Sequence, residues 1–137
     1  MRGVALKETV HRAKGQRNEK FITDLENASL DYKDWIIVAA FYSAIHYVMS
    51  YFHRTVSRYD DESNDPLIPD RSGLGRLKGH LHRKALVERH LKKLLRDYNW
   101  LETAAWSARY RELDMSQVPP SKIQEVKTVV STKFKTL

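Results

Sequence analysis

The sequence predicts an all-α protein, an antiparallel, up-and-down bundle of four to five helices. Three observations predict it. The run from Asp34 to Phe52, DWIIVAAFYSAIHYVMSYF, is apolar almost all the way round a helix. Such a helix must be buried, either in lipid or at the centre of a bundle. Five glycines and four prolines among 137 residues are few, which favours long regular elements. Valine and isoleucine do not fall in alternating runs bounded by turn residues, so strands are not expected. The length suits one domain over residues 1–137 with a core of its own.

The first helix is expected from about Val4 to Glu26, with Val10, Phe21, Ile22 and Leu25 as apolar positions. Gly15 is expected to interrupt it, because glycine is a poor helix former. Asn27 to Tyr32 reads as a turn in which Ser29 or Asp31 can cap the second helix. That second helix is expected from Tyr32 or Lys33 to Arg54 or beyond. A lipid-facing span would place His46, Ser43 and Ser50 at mid-depth without partners. The bundle centre is therefore preferred, and no membrane partner is expected.

Residues 59–75, YDDESNDPLIPDRSGLG, read as one long irregular loop with five acids and a single arginine. A third helix is expected from about Arg76 to Tyr98. A fourth either continues it with a kink or restarts near Asn99 and ends near Arg111. Pro119 and Pro120 break the chain. Ser121 and Gln124 then resemble a capping box for a C-terminal helix over about 121–137. That helix places Ile123, Val126, Val129 or Val130, and Phe134 on one face.

The net charge is +7, and its distribution is uneven. Arg76 to Arg96 holds eight Lys or Arg and one Glu. Such concentration suits a phosphate-bearing partner, although a solvated helix face has the same look. At 100° per residue, Leu77, Leu81, Val87, Leu91, Leu95 and Tyr98 share one arc. Lys78, His82, Arg89, Lys93 and Arg96 share another, a basic stripe that could follow a sugar–phosphate backbone. Lys84 falls on the apolar arc, out of place there.

Cysteine is absent, which excludes disulfides, thiol chemistry and cysteine-ligated zinc. Two histidines at His80 and His82 diverge by about 200° on a helix and cannot easily chelate one ion. No metal or cofactor is expected. No phosphate loop, dinucleotide fingerprint, serine-based triad or paired carboxylates are visible. The opening residues MRGVALKETVHRAKGQ hold no apolar segment of a secretory leader, so a cytoplasmic location is expected. Trp100 and Trp106 are read as packing residues that could alternatively stack on a partner or a base.

An ordered set of short motifs resembles one family. It comprises Asn18 with Phe21-Ile22 and Leu25, then Asp34-Trp35, Phe41-Tyr42, Ala44 and His46. After these come His80 or His82 with Arg83, then Tyr98, Leu101 and the run Ser107-Ala108-Arg109-Tyr110. Over about residues 15–112 this set resembles the HEPN superfamily (higher eukaryotes and prokaryotes nucleotide-binding domain), and within it the small stand-alone prokaryotic proteins. The resemblance implies an antiparallel helical bundle, frequently a homodimer, that works on RNA or nucleotides. The implied settings are defence, toxin–antitoxin pairs with a nucleotidyltransferase-like antitoxin, and RNA processing.

Catalytic members of that family are metal-independent ribonucleases with an arginine, four to six residues and then a histidine. The histidine acts on the 2′-hydroxyl or the leaving oxygen, and the arginine stabilises charge on the phosphate. Arg76 to His82 and Arg83 to His90 fit the spacing, but chance supplies such matches in a chain with twelve arginines and six histidines. No histidine occurs after Arg109 as far as Met115, where the motif is expected. Catalysis would therefore draw on His46 or His80 with Arg83 or Arg109, in a cleft lined by Tyr42 and Tyr110. The expectation is a non-catalytic RNA- or nucleotide-binding protein. A metal-independent ribonuclease and a protein-interaction scaffold are the alternatives.

Overall fold

A computed structural model describes residues 2–27, 33–56, 59, 78–110 and 120–137, and within these the side chains of all but 2–6, 78–81, 109 and 110. The protein is an all-α helical bundle. Its helices are α1 (Arg2–Asn27), α2 (Lys33–Thr55), α3 (Lys78–His90), α4 (Leu95–Tyr110) and α5 (Pro120–Val129). A 3-10 turn over Lys92–Leu94 joins α3 to α4, and a π-helical turn over Val130–Phe134 continues α5. No strand occurs among the described residues. The interhelix turn at 28–32, the acidic segment from 60 and the Pro119 break lie outside the described residues.

The core is built round α2, as its all-round apolar sequence requires. By length and composition α2 could cross a membrane, but its apolar surface is spent inside the protein. Fifteen of its residues are buried, including Ala40, Ala44, Val48 and Phe52. Trp35, Tyr42 and His46 fall within about 40° of one another on the helix. They are less enclosed than their neighbours: Trp35 is exposed, while Tyr42 and His46 are half-buried.

Helix α1 packs along α2 through His11, Gly15 and Ile22, with Asn18 and Leu25 half-buried on the same stripe. These positions repeat at intervals of four and three, the spacing of a helix face. Contacts run down α2 as they run up α1: Glu8 pairs with Arg54, and Gly15 meets Ser43. The two helices are therefore antiparallel. Gly15 does not interrupt α1. A Cβ there would lie 2.7 Å from Cε1 of Tyr47, so the missing side chain lets the ring in. The Ser43 hydroxyl donates to the Gly15 carbonyl at 2.7 Å, sealing the approach.

The third predicted helix is broken earlier than expected. Leu91, at φ −131° and ψ 48°, ends α3, and α4 starts at Leu95 rather than near Asn99. Leu91, Leu94 and Leu95 are each partly buried against the core on either side of the break. Lys84, out of place on the predicted apolar arc, is half-buried and pairs with Glu102 of α4 at 3.3 Å. At the C-terminus, α5 begins at Pro120, so Ser121 sits inside its first turn rather than capping it. The π turn keeps Val130 and Phe134 in line with Ile123 and Val126, all four buried. Salt bridges from Lys127 to Glu26 at 2.7 Å and from Lys133 to Asp97 at 2.9 Å tie this end to α1 and α4.

Candidate functional site

Two arrangements could carry function, one interior and one on the surface. The interior one begins at His46. One turn after Tyr42 on α2, its Nδ1 lies 2.9 Å from Nδ1 of His11 on α1. In that hydrogen bond one ring donates and the other accepts, so the two share a single proton between these atoms. The His11 ring also stacks on His53, seven residues after His46 on α2, with centroids 5.4 Å apart and planes 13° apart. His53 meets Tyr59 edge-on at 4.7 Å, and Tyr59 stacks on His82 of α3 at 5.9 Å. A continuous ladder of rings thus runs from His46 through His11, His53 and Tyr59 to His82.

The ladder does not suit a metal. Imidazole lone pairs lie in the ring plane, so the stacked His11 and His53 rings aim theirs side by side rather than at one point. Among the described residues no three His, Asp or Glu are grouped to hold an ion. Between His46 and His53, on the same side of α2, the Ser50 hydroxyl is buried and accepts or donates no hydrogen bond among the described residues. Leaving such a group unsatisfied costs about 1–3 kcal/mol.

Arg83 directs its guanidinium inward: it is only 9% exposed and lies beside Tyr98 of α4, which is fully buried. Burial raises the pKa of the Tyr98 hydroxyl, and the nearby Arg83 charge pulls it partly back. Tyr98 packs edge-on against Phe41 of α2 at 5.7 Å, and Phe41 adjoins Tyr42 at 6.1 Å. Thus, among the predicted cleft residues, Tyr42 and His46 share one side of α2, while Arg83 sits by Tyr98. The side chains of His80, Arg109 and Tyr110 lie outside the described residues.

On the surface, the predicted stripe survives in part. Arg89, Lys93 and Arg96 are exposed, and so is Lys92, which the helical wheel missed. None of the four makes an ion pair among the described residues. Nearby acids are engaged elsewhere, Asp97 by Lys133 and Glu102 by Lys84, while Glu88 stands exposed beside Arg89. His82 does not belong to this stripe. It is 5% exposed and the ring of Tyr59 stacks on it, while Glu88, Arg89 and His90 in the last turn of α3 are exposed. The Lys78 side chain lies outside the described residues.

Sequence reasoning missed His11 and His53. A signal existed: His11 and Gly15 fall on the same four-three repeat as Ile22, and His53 lies in register with His46. Set beside models of known families, curated proteins and solved structures, the chain matches none.

Proposed function

We propose that this chain is a HEPN-like helical protein that binds RNA or a nucleotide without cleaving it. It acts in the cytoplasm as a homodimer or with a partner such as a nucleotidyltransferase-like antitoxin, in a defence, toxin–antitoxin or RNA-processing setting. One observation carries the reading: Arg89, Lys92, Lys93 and Arg96 form an exposed cation cluster with no counterion among the described residues. A phosphate backbone is the partner that gains most from such a cluster, through release of its own counterions.

The test is a gel shift with RNA in EDTA over a range of salt. Wild-type binding should weaken steeply as salt rises. Reversing Arg89, Lys93 and Arg96 together to Glu should lower affinity about a hundredfold and flatten the salt slope by about two units, near 0.7 per lost phosphate contact on a single strand. Binding that survives the triple reversal unchanged overturns the reading.

A second reading, a metal-independent ribonuclease, draws support from the His11–His46 pair. A half-buried imidazole hydrogen-bonded through Nδ1 to a second ring is suited to proton transfer. It predicts RNA cleavage in EDTA, with 2′,3′-cyclic phosphate ends, that is lost in His46→Ala. Undiminished cleavage by a folded His46→Ala protein discards the assignment.

A further inference from the structure

We infer that the nucleic acid met by this cation cluster is single-stranded RNA, lying along the outer face of α4 with a base stacked on Trp106. The inference rests on the binding reading above and names its substrate class. At 100° per residue, Arg96, Asn99, Trp100, Thr103 and Trp106 share one arc of α4. Tyr98, Leu101 and Ala105 take the opposite arc and are buried in the core. Along the outer arc Arg96, Thr103 and Trp106 are exposed.

The two tryptophans of that arc differ in exposure. Trp100 is half-buried, and the ammonium of Lys122 sits 4.3 Å from its ring centre. Trp106 is 57% exposed. Its preceding arc neighbours are the polar Asn99 and Thr103, so among the described residues it joins no contiguous apolar patch of the kind that docks a protein. Between Arg96 and Trp106, the side-chain oxygen of Asn99 is closed off from solvent and has no hydrogen-bond partner among the described residues.

Ten residues of helix separate Arg96 from Trp106, about 15 Å of rise. A few nucleotides fit that length, with phosphates on the cations at one end and a base on the indole at the other. Cations with an aromatic platform are what single strands require, because every base offers a π-face. In a duplex those faces are stacked inside and a projecting indole cannot reach them. The cations alone would serve duplex and single strand alike, so Trp106 decides between them.

The test measures binding of a short fluorescein-labelled RNA, alone and annealed to its complement, to the full chain at low salt. Four proteins are compared: wild type, Trp106→Ala, Trp106→Phe and Trp35→Ala. Trp35, 55% exposed on α2, is the control for loss of an exposed indole elsewhere. The single strand should bind tightest. Trp106→Ala should weaken it about tenfold, the size of one lost base stack, while Trp106→Phe keeps most of the affinity and Trp35→Ala all of it. Wild-type affinity in Trp106→Ala, or equal affinity for duplex and single strand, overturns this inference. The binding reading then still stands if the triple charge reversal abolishes binding. Absence of any binding by the wild type overturns both.

Discussion

The α1–α2 seam and the α3–α4 junction both carry polar side chains on helices, but they use them in opposite ways. In the seam, His11, His53, Ser43 and the ring of Tyr47 are buried, and the helices approach closely enough that Gly15 has no room for a Cβ. At the junction the helix breaks at Leu91, and Arg89, Lys92, Lys93 and Arg96 stay in solvent. The difference lies in what surrounds each helix. A polar group that meets a partner across a seam can be enclosed at little cost. A cation without a counterion cannot, and the segment that carries it stays outside. The seam is thus suited to fixing geometry and the junction to meeting a charged partner.

The strongest way to break this contrast is at Gly15. Substituting valine puts branched carbons where the buried Tyr47 ring lies, and the ring is held in place by its hydrogen bond to Glu19. Overpacking of this kind costs about 1–3 kcal/mol, and it outweighs the gain in helix propensity over glycine, at most about 1 kcal/mol. Urea unfolding of Gly15→Val should therefore show a loss near the top of that range, with Gly15→Ala smaller. A Gly15→Ala protein as stable as wild type would mean that the seam has slack.

Next in size is Tyr47→Phe. It removes the O–H that donates to the Glu19 carboxylate, a charge-assisted bond worth about 1.5–3 kcal/mol when deeply buried and less here, where Lys135 also approaches Glu19 at 3.8 Å. A loss of about 1–2 kcal/mol is expected. The pH dependence gives a second handle. Burial first, then the hydrogen bond to Glu19, pushes the Tyr47 pKa well above its ordinary 10.0, and burial raises Tyr98 as well. A folded-state pKa above the unfolded one gives stability that is complete below about pH 10 and is lost as pH climbs towards the folded value. Wild-type stability should therefore fall above about pH 10, and Tyr47→Phe should fall less steeply. Equal slopes would mean that the Tyr47 hydroxyl titrates as freely as in the unfolded chain.

The two regions also differ in how far sequence revealed them. The bounds of α1 and α2 were legible within two residues, because α2 is apolar almost all the way round and the polar run from Asn27 to Tyr32 separates it from the apolar positions of α1. Gly15 was misread because propensity describes a lone helix, whereas this glycine answers to a ring on its neighbour. The break at Leu91 had no local signal: the run ERHLKKLL from Glu88 to Leu95 contains neither glycine nor proline. The helical wheel still sorts residues across it: Arg89, Lys93 and Arg96 are exposed, while Val87, Leu91, Leu95 and Tyr98 turn inward. His82 shows a second limit. It lies about 20° from the exposed Arg89 on the wheel, yet the ring of Tyr59 encloses it, a tertiary contact that no periodicity records.

The smallest effect tests the junction itself. Lys84 of α3 and Glu102 of α4 pair at 3.3 Å across the break, with side chains 42% and 30% exposed. At that exposure water and salt screen the attraction, and pairs of this kind contribute about 0.2–1 kcal/mol. A double-mutant cycle with Lys84→Ala and Glu102→Ala should return a coupling within that range that fades as salt is raised. The cycle is the appropriate measurement because each single change also removes side-chain stem packing, which cancels only in the difference. A coupling of about 2 kcal/mol or more, insensitive to salt, would mean that the pair is effectively buried. The junction would then be clamped as firmly as the α1–α2 seam, and its exposed cations would be carried on a rigid platform rather than on a lightly tied turn.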